Sequence, residues 1–453
     1  MVSGRKRIAA SAIFVALVMA LVAAVSTASA RTEGDRELAA AAALRTMGFG
    51  LPDEIARVRV DVTKAALGNI EVEMDTGGFD EQKFLSAVAS GNPPDLVYMP
   101  RNFIGQYAKR RALMPLTSCI RSQRIPMSQF RQFAVREVTF QGTTYAIPEF
   151  NQSRTVIINR RARISAKLGL AAFNTANWNT IRATNRKLMR RSGNTISRIG
   201  FDPKLPEFFP LWAKANGIDI LTPNGRTSNL SHPRAIAALQ YAMSLINAHG
   251  GWNRFKAFRD TWDFFGAKNQ LIENQIGAWP MEEFYFGTLA RVSPAVRIDA
   301  VPFRARNGKT INYSTGSAWA IPRGADNQAM ACRWMKSMTA PATWVRAAQA
   351  RLAARKAQGA PFLPVWTANR EADRRIVRQV YEPQGNRDFN RAVAMLLRVQ
   401  GSGFIVPASA AGQEFQTIWM EAVTRVLNGQ QSAAASLRQA DRAAQAALDR
   451  ANR

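Results

Sequence analysis

A chain of 453 residues exceeds one ordinary domain core and points to two domains, and 47% hydrophobic with 9% aromatic residues suffices to bury sizeable cores. The 61 Lys+Arg against 32 Asp+Glu give +29, an excess that would attract anionic lipid, cell-wall polymer or nucleic acid. Basic residues are nevertheless scattered, with only short clusters such as Arg160-Arg161-Ala162-Arg163 and no zinc-finger spacing, RNP motif or basic-zipper pattern, which excludes a dedicated nucleic-acid reader.

The chain starts with Arg5-Lys6-Arg7, an apolar segment over residues 8–25 and Ala28-Ser29-Ala30, the order of a secretory signal cleaved after Ala30. An uncleaved anchor is the alternative, the apolar segment being at the lower limit for spanning a bilayer. Without Arg5, Lys6 and Arg7 the charge falls from +29 by 3 to +26. Nothing later is long and apolar enough to span, so the remainder is expected to be soluble and exported.

Residues 31–46 read as a polar, then alanine-rich lead-in, and 53–60 as a short helix. Residues 70–74 alternate as a strand, and Gly77-Gly78-Phe79-Asp80 form a loop with Asp80 as helix cap. Phe84, Leu85 and Val88 share a helix face that Gly91-Asn92-Pro93-Pro94 stops. Leu96-Val97-Tyr98-Met99 is an apolar run suited to a strand buried on both faces. Pro100-Arg101-Asn102 then turn beyond its carboxyl end, where open α/β sheets bind ligands, and 104–113 resume a helix. This β-α-β order predicts a parallel sheet. Residues 125–138 read as helix and 143–147 as strand. Pro148-Glu149-Phe150-Asn151 interrupt a run that resumes over 155–159, so the chain there leaves one sheet for another. Helices are expected over 165–169, 178–192 and 234–248, with Asn224-Gly225 a turn between. Val301-Pro302 end a strand, and 330–338 and 342–357 are helical. Beyond the break at 361–366, helices are expected over 371–380, 389–399, 414–427 and 433–451, the last with Leu437, Ala440, Ala444, Ala447 and Leu448 on one face.

The stretch SGNPPDLVY, a polar turn and a helix ending in LMPL resembles the extracellular solute-binding proteins of ABC importers, in the carbohydrate-binding, maltose-binding-protein-like group. Residues 142–159 (GTTYAIPEFNQSRTVIIN), 200–212 (GFDPKLPEFFPLW), 278–285 (AWPMEEFY) and 314–322 (STGSAWAIP) join it in the family's order. The resemblance implies two α/β lobes joined by three hinge crossings, with a ligand cleft between them. It divides the chain into an N-terminal lobe of residues 31–150 and 306–355 and a C-terminal lobe of 151–305 and 356–453. It also implies a strand before residue 53, which residues 44–49 match poorly, and a return to the first lobe over 311–321. Related proteins of single-membrane bacteria often carry a lipidated cysteine at the cleavage site. This leader has none, so either a second membrane confines the protein or the leader stays as a tether.

Two cysteines, Cys119 and Cys332, both fall in segments assigned to the first lobe; a disulfide and two buried thiols are equal alternatives, because sequence does not supply the Cα separation. The two histidines, His232 before Pro233 and His249 before Gly250-Gly251, read as local residues at helix ends. No HExxH, GxSxG, Walker A or cysteine-rich metal spacing occurs, so no cofactor or metal is called for. A glycosidase needs only two carboxylates in a cleft, and Glu149, Glu282 and Glu283 are the candidates for that alternative.

Sugar rings pair apolar C–H faces with peripheral hydroxyls, so their sites combine flat aromatics with acids, amides and arginines. Among ten tryptophans, Trp212, Trp279, Trp319 and Trp366 stand near Pro or Gly, and each is read as site or core alike; Trp178, Trp334, Trp344 and Trp419 sit in helical patterns and are read as core. Arg101 and Asn102 follow a buried strand. Glu149 and Asn151 stand where the lobes join, as ligand contacts or as hinge. The resemblance brings Trp279, Met281, Glu282 and Tyr285 to the second-lobe wall, with Glu282 rather than Glu283 inward, and Phe79 is a candidate for the opposite wall. The expected function is cleft closure on a mono- or oligosaccharide and its delivery to ABC permease subunits by a monomer. A polyol, glycerol-phosphate or osmolyte, or a secreted glycan-active enzyme, is the alternative.

Overall fold

The computed structural model describes residues 43–383 and 385–453. The secretory leader and its cleavage at Ala30 lie outside the described residues. Among the described residues no helix is long and apolar enough to cross a membrane.

The first lobe is built on a five-stranded sheet in the order Val72–Asp75, Leu44–Met47, Leu96–Pro100, Ser317–Ala320, Ala146–Pro148. The first three strands run parallel, and Ser317–Ala320 is antiparallel to both neighbours. Leu96, Val97 and Met99 are fully buried, as a strand covered on both faces requires. Asp95, also fully buried, fixes the entry to that strand: its carboxylate accepts from the Arg45 N–H at 2.9 Å and from the Asn327 N–H at 2.8 Å. One carboxylate thus joins the sheet to the start of helix Gln328–Met338. Helix Glu54–Ala66 begins at Asp53, whose side chain accepts from the Ala56 N–H at 3.0 Å.

The second lobe carries the sheet Ile298–Val301, Arg154–Asn159, Ile276–Glu282, Thr195–Phe201, Arg190–Ser192. Its core takes in Trp212, Trp279, Phe389, Phe415, Trp419 and Leu437, so the last two helices, Gly412–Leu427 and Ala433–Asn452, pack on this lobe. Helix Arg370–Gln379 touches both sides, Val377 lying against the second-lobe core. Its Ala372 and Ile376 pack with Ile55, Trp344 and Phe362 on the first-lobe side.

Two helices end sooner than periodicity suggests. The helix expected over 178–192 stops at Leu188, and Arg190–Ser192 turns back as a hairpin with Thr195–Phe201. The helix expected over 165–169 lies earlier, at Arg160–Ser165, where the Asn159 side chain caps the Ala162 N–H. The single helix expected over 125–138 is a short turn at Met127–Gln129 followed by Gln132–Glu137.

Cys119 and Cys332 form a disulfide with Cα atoms 5.8 Å apart across 213 residues of sequence, inside the first-lobe core. Isolated bridges, Phe150 with Thr367 and Gln152 with Thr315, gather the hinge segments side by side, and Asn312–Tyr313 pairs with Gly403–Phe404.

Candidate functional site

Among the cavities lined by both lobes, two share Phe150 at the hinge. The smaller, of about 440 Å³, is walled by Pro100 and Asn102 from the first lobe, by Gln152, Tyr313 and Thr315 from the hinge, and by Glu207, Glu282, Gln416 and Trp419 from the second. Asn102 and Glu282 arrive there by the same rule, since each stands at or just past the carboxyl end of a buried strand. Asn102 donates across the lobes to Gln416 Oε1 at 2.6 Å, and Gln106 donates to Gln413 Oε1 at 3.0 Å beside it.

Arg154 organises the floor. Its guanidinium donates to the Tyr313 carbonyl at 2.7 Å, to Glu282 Oε1 at 3.2 Å and to Thr315 Oγ1 at 3.2 Å, and lies 4.6 Å from the Tyr313 ring. Thr315 Oγ1 in turn donates to Gln152 Oε1 at 2.8 Å. Carboxylates (Glu207, Glu282), amides (Asn102, Gln152, Gln416), a guanidinium and aromatic rings therefore border one space, the mixture that a hydroxylated ring requires.

The larger cavity, of about 740 Å³, is bordered by Phe49, Arg59 and Glu149 of the first lobe, by Glu283, Phe284 and Arg291 of the second, and by Trp366. Glu282 and Glu283 thus border different cavities: Glu282 is the last residue of its strand, and Glu283, at φ −64° and ψ −26°, already has the backbone of the helix that follows. Glu283 is buried, and its carboxyl is pushed up to about 8 by burial, partly offset by the Ser153 N–H that it accepts from. The unfolded chain would hold this group near its ordinary 4.5. The folded state therefore binds the extra proton between these values, and the stability it contributes below about 4.5 is lost as pH rises through about 8. Glu283→Gln is expected to flatten that decline, read as urea midpoints at pH 5 and pH 8.5; an unchanged slope would show that Glu283 is ionised throughout.

Of the other sequence candidates, Arg101 and Asn151 are fully buried in the hinge: Arg101 donates to Glu137 at 2.7 Å, to the Phe150 carbonyl at 2.8 Å and to Asn151 Oδ1 at 3.3 Å. Gly316 is needed against this group, since a Cβ there would run into the Phe150 carbonyl and the Arg101 guanidinium. Trp212, Trp279, Trp319 and Tyr285 lie in the cores and border neither cavity. Pro210 opens helix Phe209–Ala215 instead of breaking it, so Trp212 is helical and donates to the Pro203 carbonyl at 2.9 Å. Trp279 and Trp319 sit mid-strand, cross-strand from Ile157 and Tyr98. The Tyr285 hydroxyl donates to the Phe264 carbonyl at 3.1 Å. Phe79 packs with Phe84, Phe103 and Tyr107. Glu149 and Trp366 border the larger cavity, Glu149 paired with the Arg59 guanidinium. Of the three carboxylates weighed for a glycosidase, Glu149 and Glu283 border the larger cavity and Glu282 the smaller.

Arg154, Tyr313, Gln416, Glu207 and Trp419 went unremarked or were assigned elsewhere from sequence. Arg154 and Glu207 lie within the motifs GTTYAIPEFNQSRTVIIN and GFDPKLPEFFPLW, and Tyr313 stands one residue before STGSAWAIP.

A profile of bacterial extracellular solute-binding proteins matches residues 60–357, roughly two thirds of the 453. A comparison with curated proteins finds no match. Among solved structures, CpMnBP1 with mannotriose bound gives a TM-score of 0.70 at 20% identity, covering 89% of this chain and 100% of that one. The sugar-binding protein MalE from the phytopathogen Xanthomonas citri gives 0.69 at 14% identity over 91% and 98% of the two chains. UgpB from Mycobacterium tuberculosis in complex with glycerophosphocholine gives 0.67 at 16% over 91% and 100%. At such identities the likeness is one of fold: a two-lobed periplasmic-binding architecture.

Proposed function

The chain belongs to the family of bacterial extracellular solute-binding proteins, and from that premise we propose that it is the substrate-binding component of an ABC importer, taking a mono- or oligosaccharide into the smaller interlobe cavity. The observation that carries the reading is the set of groups around that cavity, with Glu282, Arg154, Gln152 and Asn102 supplying paired polar contacts and Tyr313 and Trp419 supplying flat faces. Closure of the lobes buries the ligand's hydroxyls against these groups, so a sugar lacking one is rejected. The ligand leaves unchanged, and the closed form is what the permease subunits meet. The protein acts outside the cytoplasmic membrane as a monomer, its leader removed after Ala30 or kept as a tether, and its basic surface draws it to the anionic envelope.

One observation supports a second ligand class. Arg154 Nε is buried without a hydrogen-bond partner, a donor that would suit the phosphate of a glycerol-phosphate. A panel of sugars and glycerol-phosphates followed by thermal shift tests both readings through linkage. We expect at least one member to raise the melting midpoint, and Glu282→Gln to weaken that member at least about tenfold, the worth of a hydrogen bond to a charged group. A folded protein that no member stabilises would overturn the proposal, and turnover of an oligosaccharide would replace it with the enzyme reading.

A further inference from the structure

Residues 160–198 hold ten Lys or Arg and no Asp or Glu, and the second-lobe sheet gathers this stretch at the end away from the cleft. Ile276–Glu282 carries Glu282 to the smaller cavity at its carboxyl end. Arg154–Asn159 runs antiparallel to it and Thr195–Phe201 parallel. Arg160 and Thr195 therefore stand at the opposite pole, about 20 Å from the cleft at roughly 3.3 Å per residue. Helix Trp178–Leu188 packs on Thr195–Phe201 and leads into Arg190–Ser192, the exposed edge of the sheet. Arg163 pairs with Asp299 at 2.9 Å and Arg160 with Asp388 at 2.8 Å. Arg161, Lys167, Arg186, Lys187, Arg190 and Arg191 are exposed and have no carboxylate partner among the described residues. Glu273, on the loop before Ile276, is an exposed acid at the same end and is far outnumbered. Arg198, 3% exposed, donates through Nε to the Leu188 carbonyl at 2.7 Å, while its Nη2 is buried with no hydrogen-bond partner. Burial, then the charges of Arg190 and Arg161, press its pKa down to about 10, so these cations crowd one another. Two large apolar side chains stand out of the same segment: Ile164, 60% exposed and three residues past Arg161 on one helix face, and Leu170, 46% exposed, beyond Lys167.

We propose that this pole of the second lobe docks on an anionic phospholipid bilayer, its cations meeting the headgroup phosphates while Ile164 and Leu170 enter the interface. Cations near such a surface are drawn to its negative potential, and apolar side chains between them gain by leaving water. A dissolved polyanion would satisfy the cations alone and give Ile164 and Leu170 nothing to bury in, which is why the bilayer is the better partner. The contact leaves the cleft free, because it lies at the far end of the lobe. The inference gives the envelope attraction proposed above a location and a partner. It rests on export of the chain and not on what the cleft binds.

The test is co-sedimentation of the chain from Arg31 onward, so that the leader adds no membrane binding of its own, with vesicles of equal parts phosphatidylglycerol and phosphatidylcholine. Vesicles of phosphatidylcholine alone and soluble polyphosphate are the controls. The protein is expected to partition onto the anionic vesicles and not onto the neutral ones. Arg161→Glu/Lys167→Glu/Arg191→Glu should weaken that partitioning roughly a hundredfold, about fivefold for each cation near a charged surface. Arg333→Glu/Lys336→Glu/Arg346→Glu makes the same change of charge at exposed first-lobe positions and should have a far smaller effect. Ile164→Ser/Leu170→Ser should weaken vesicle binding at least about fivefold, from lost apolar burial, and leave polyphosphate binding unchanged. All these side chains are exposed, and an unchanged melting midpoint verifies that each variant is folded. No partitioning of the wild-type protein overturns the proposal. Equal losses in the two triple variants also overturn it, since they mark attraction by net charge alone. So does full vesicle binding by Ile164→Ser/Leu170→Ser, which makes the partner any polyanion. Vesicle binding is read without sugar and the sugar-induced melting shift without vesicles, so either reading can fail alone.

Discussion

Arg101→Met is expected to destabilise the protein by about 3–5 kcal/mol, the usual consequence of leaving one member of a buried ion pair alone. Glu137, 3% exposed, would keep its carboxyl without the guanidinium that now donates at 2.7 Å, and burial already raises its pKa. The Phe150 carbonyl would lose a donor at the same time, at the point where the chain leaves the first lobe. Replacing both members, Arg101→Met with Glu137→Leu, should recover most of the loss, because two apolar groups of similar volume leave no buried charge. Urea unfolding of the single and double variants measures this. A single variant as stable as wild type would mean that Arg101 is no hinge lock and would return it to the ligand contacts that its place after a strand suggests.

The double variant Cys119→Ser/Cys332→Ser should lose about 2–5 kcal/mol, the usual effect of removing a native disulfide. The melting midpoint should fall by roughly 4–20 °C at about 2–4 °C per kcal/mol. The bond closes a loop across 213 residues, so the unfolded chain it restrains is long. A reductant should reproduce the loss in the wild-type protein and add nothing in the variant. Equal midpoints for all samples would show that the surrounding core, with Leu116, Trp334 and Met335, holds the two helices together unaided.

Much of the first lobe was legible because its signals are local. The apolar run Leu96–Met99 between Asn-Pro-Pro and Pro-Arg-Asn admits one reading, and the rule that ligands gather past strand ends led to Asn102 and, through AWPMEEFY, to Glu282. The aromatic candidates were harder, because proximity to Pro or Gly does not say which way a ring points. Trp279 and Trp319 stand in strands whose buried faces were set by neighbours distant in sequence. Trp419 shows the converse: its helical spacing with Phe415 and Val423 is that of a core residue, it is 2% exposed, and it still borders the smaller cavity. Gln416 and Asn102, 314 positions apart, meet only through the hinge, and no window along the chain contains both.

The sheet of the first lobe interleaves early and late parts of the chain: Ser317–Ala320 inserts between Leu96–Pro100 and Ala146–Pro148. As the polypeptide is synthesised from its amino end, those two early strands face a gap that stays empty until residue 320 has been added. Their open N–H and C=O rows invite pairing with other nascent chains in the interval. The five strands of the other sheet, by contrast, all fall between Arg154 and Val301. The sheet that begins first is therefore completed last, and any factor that escorts this protein before residue 320 is added has the amino-terminal sheet to protect.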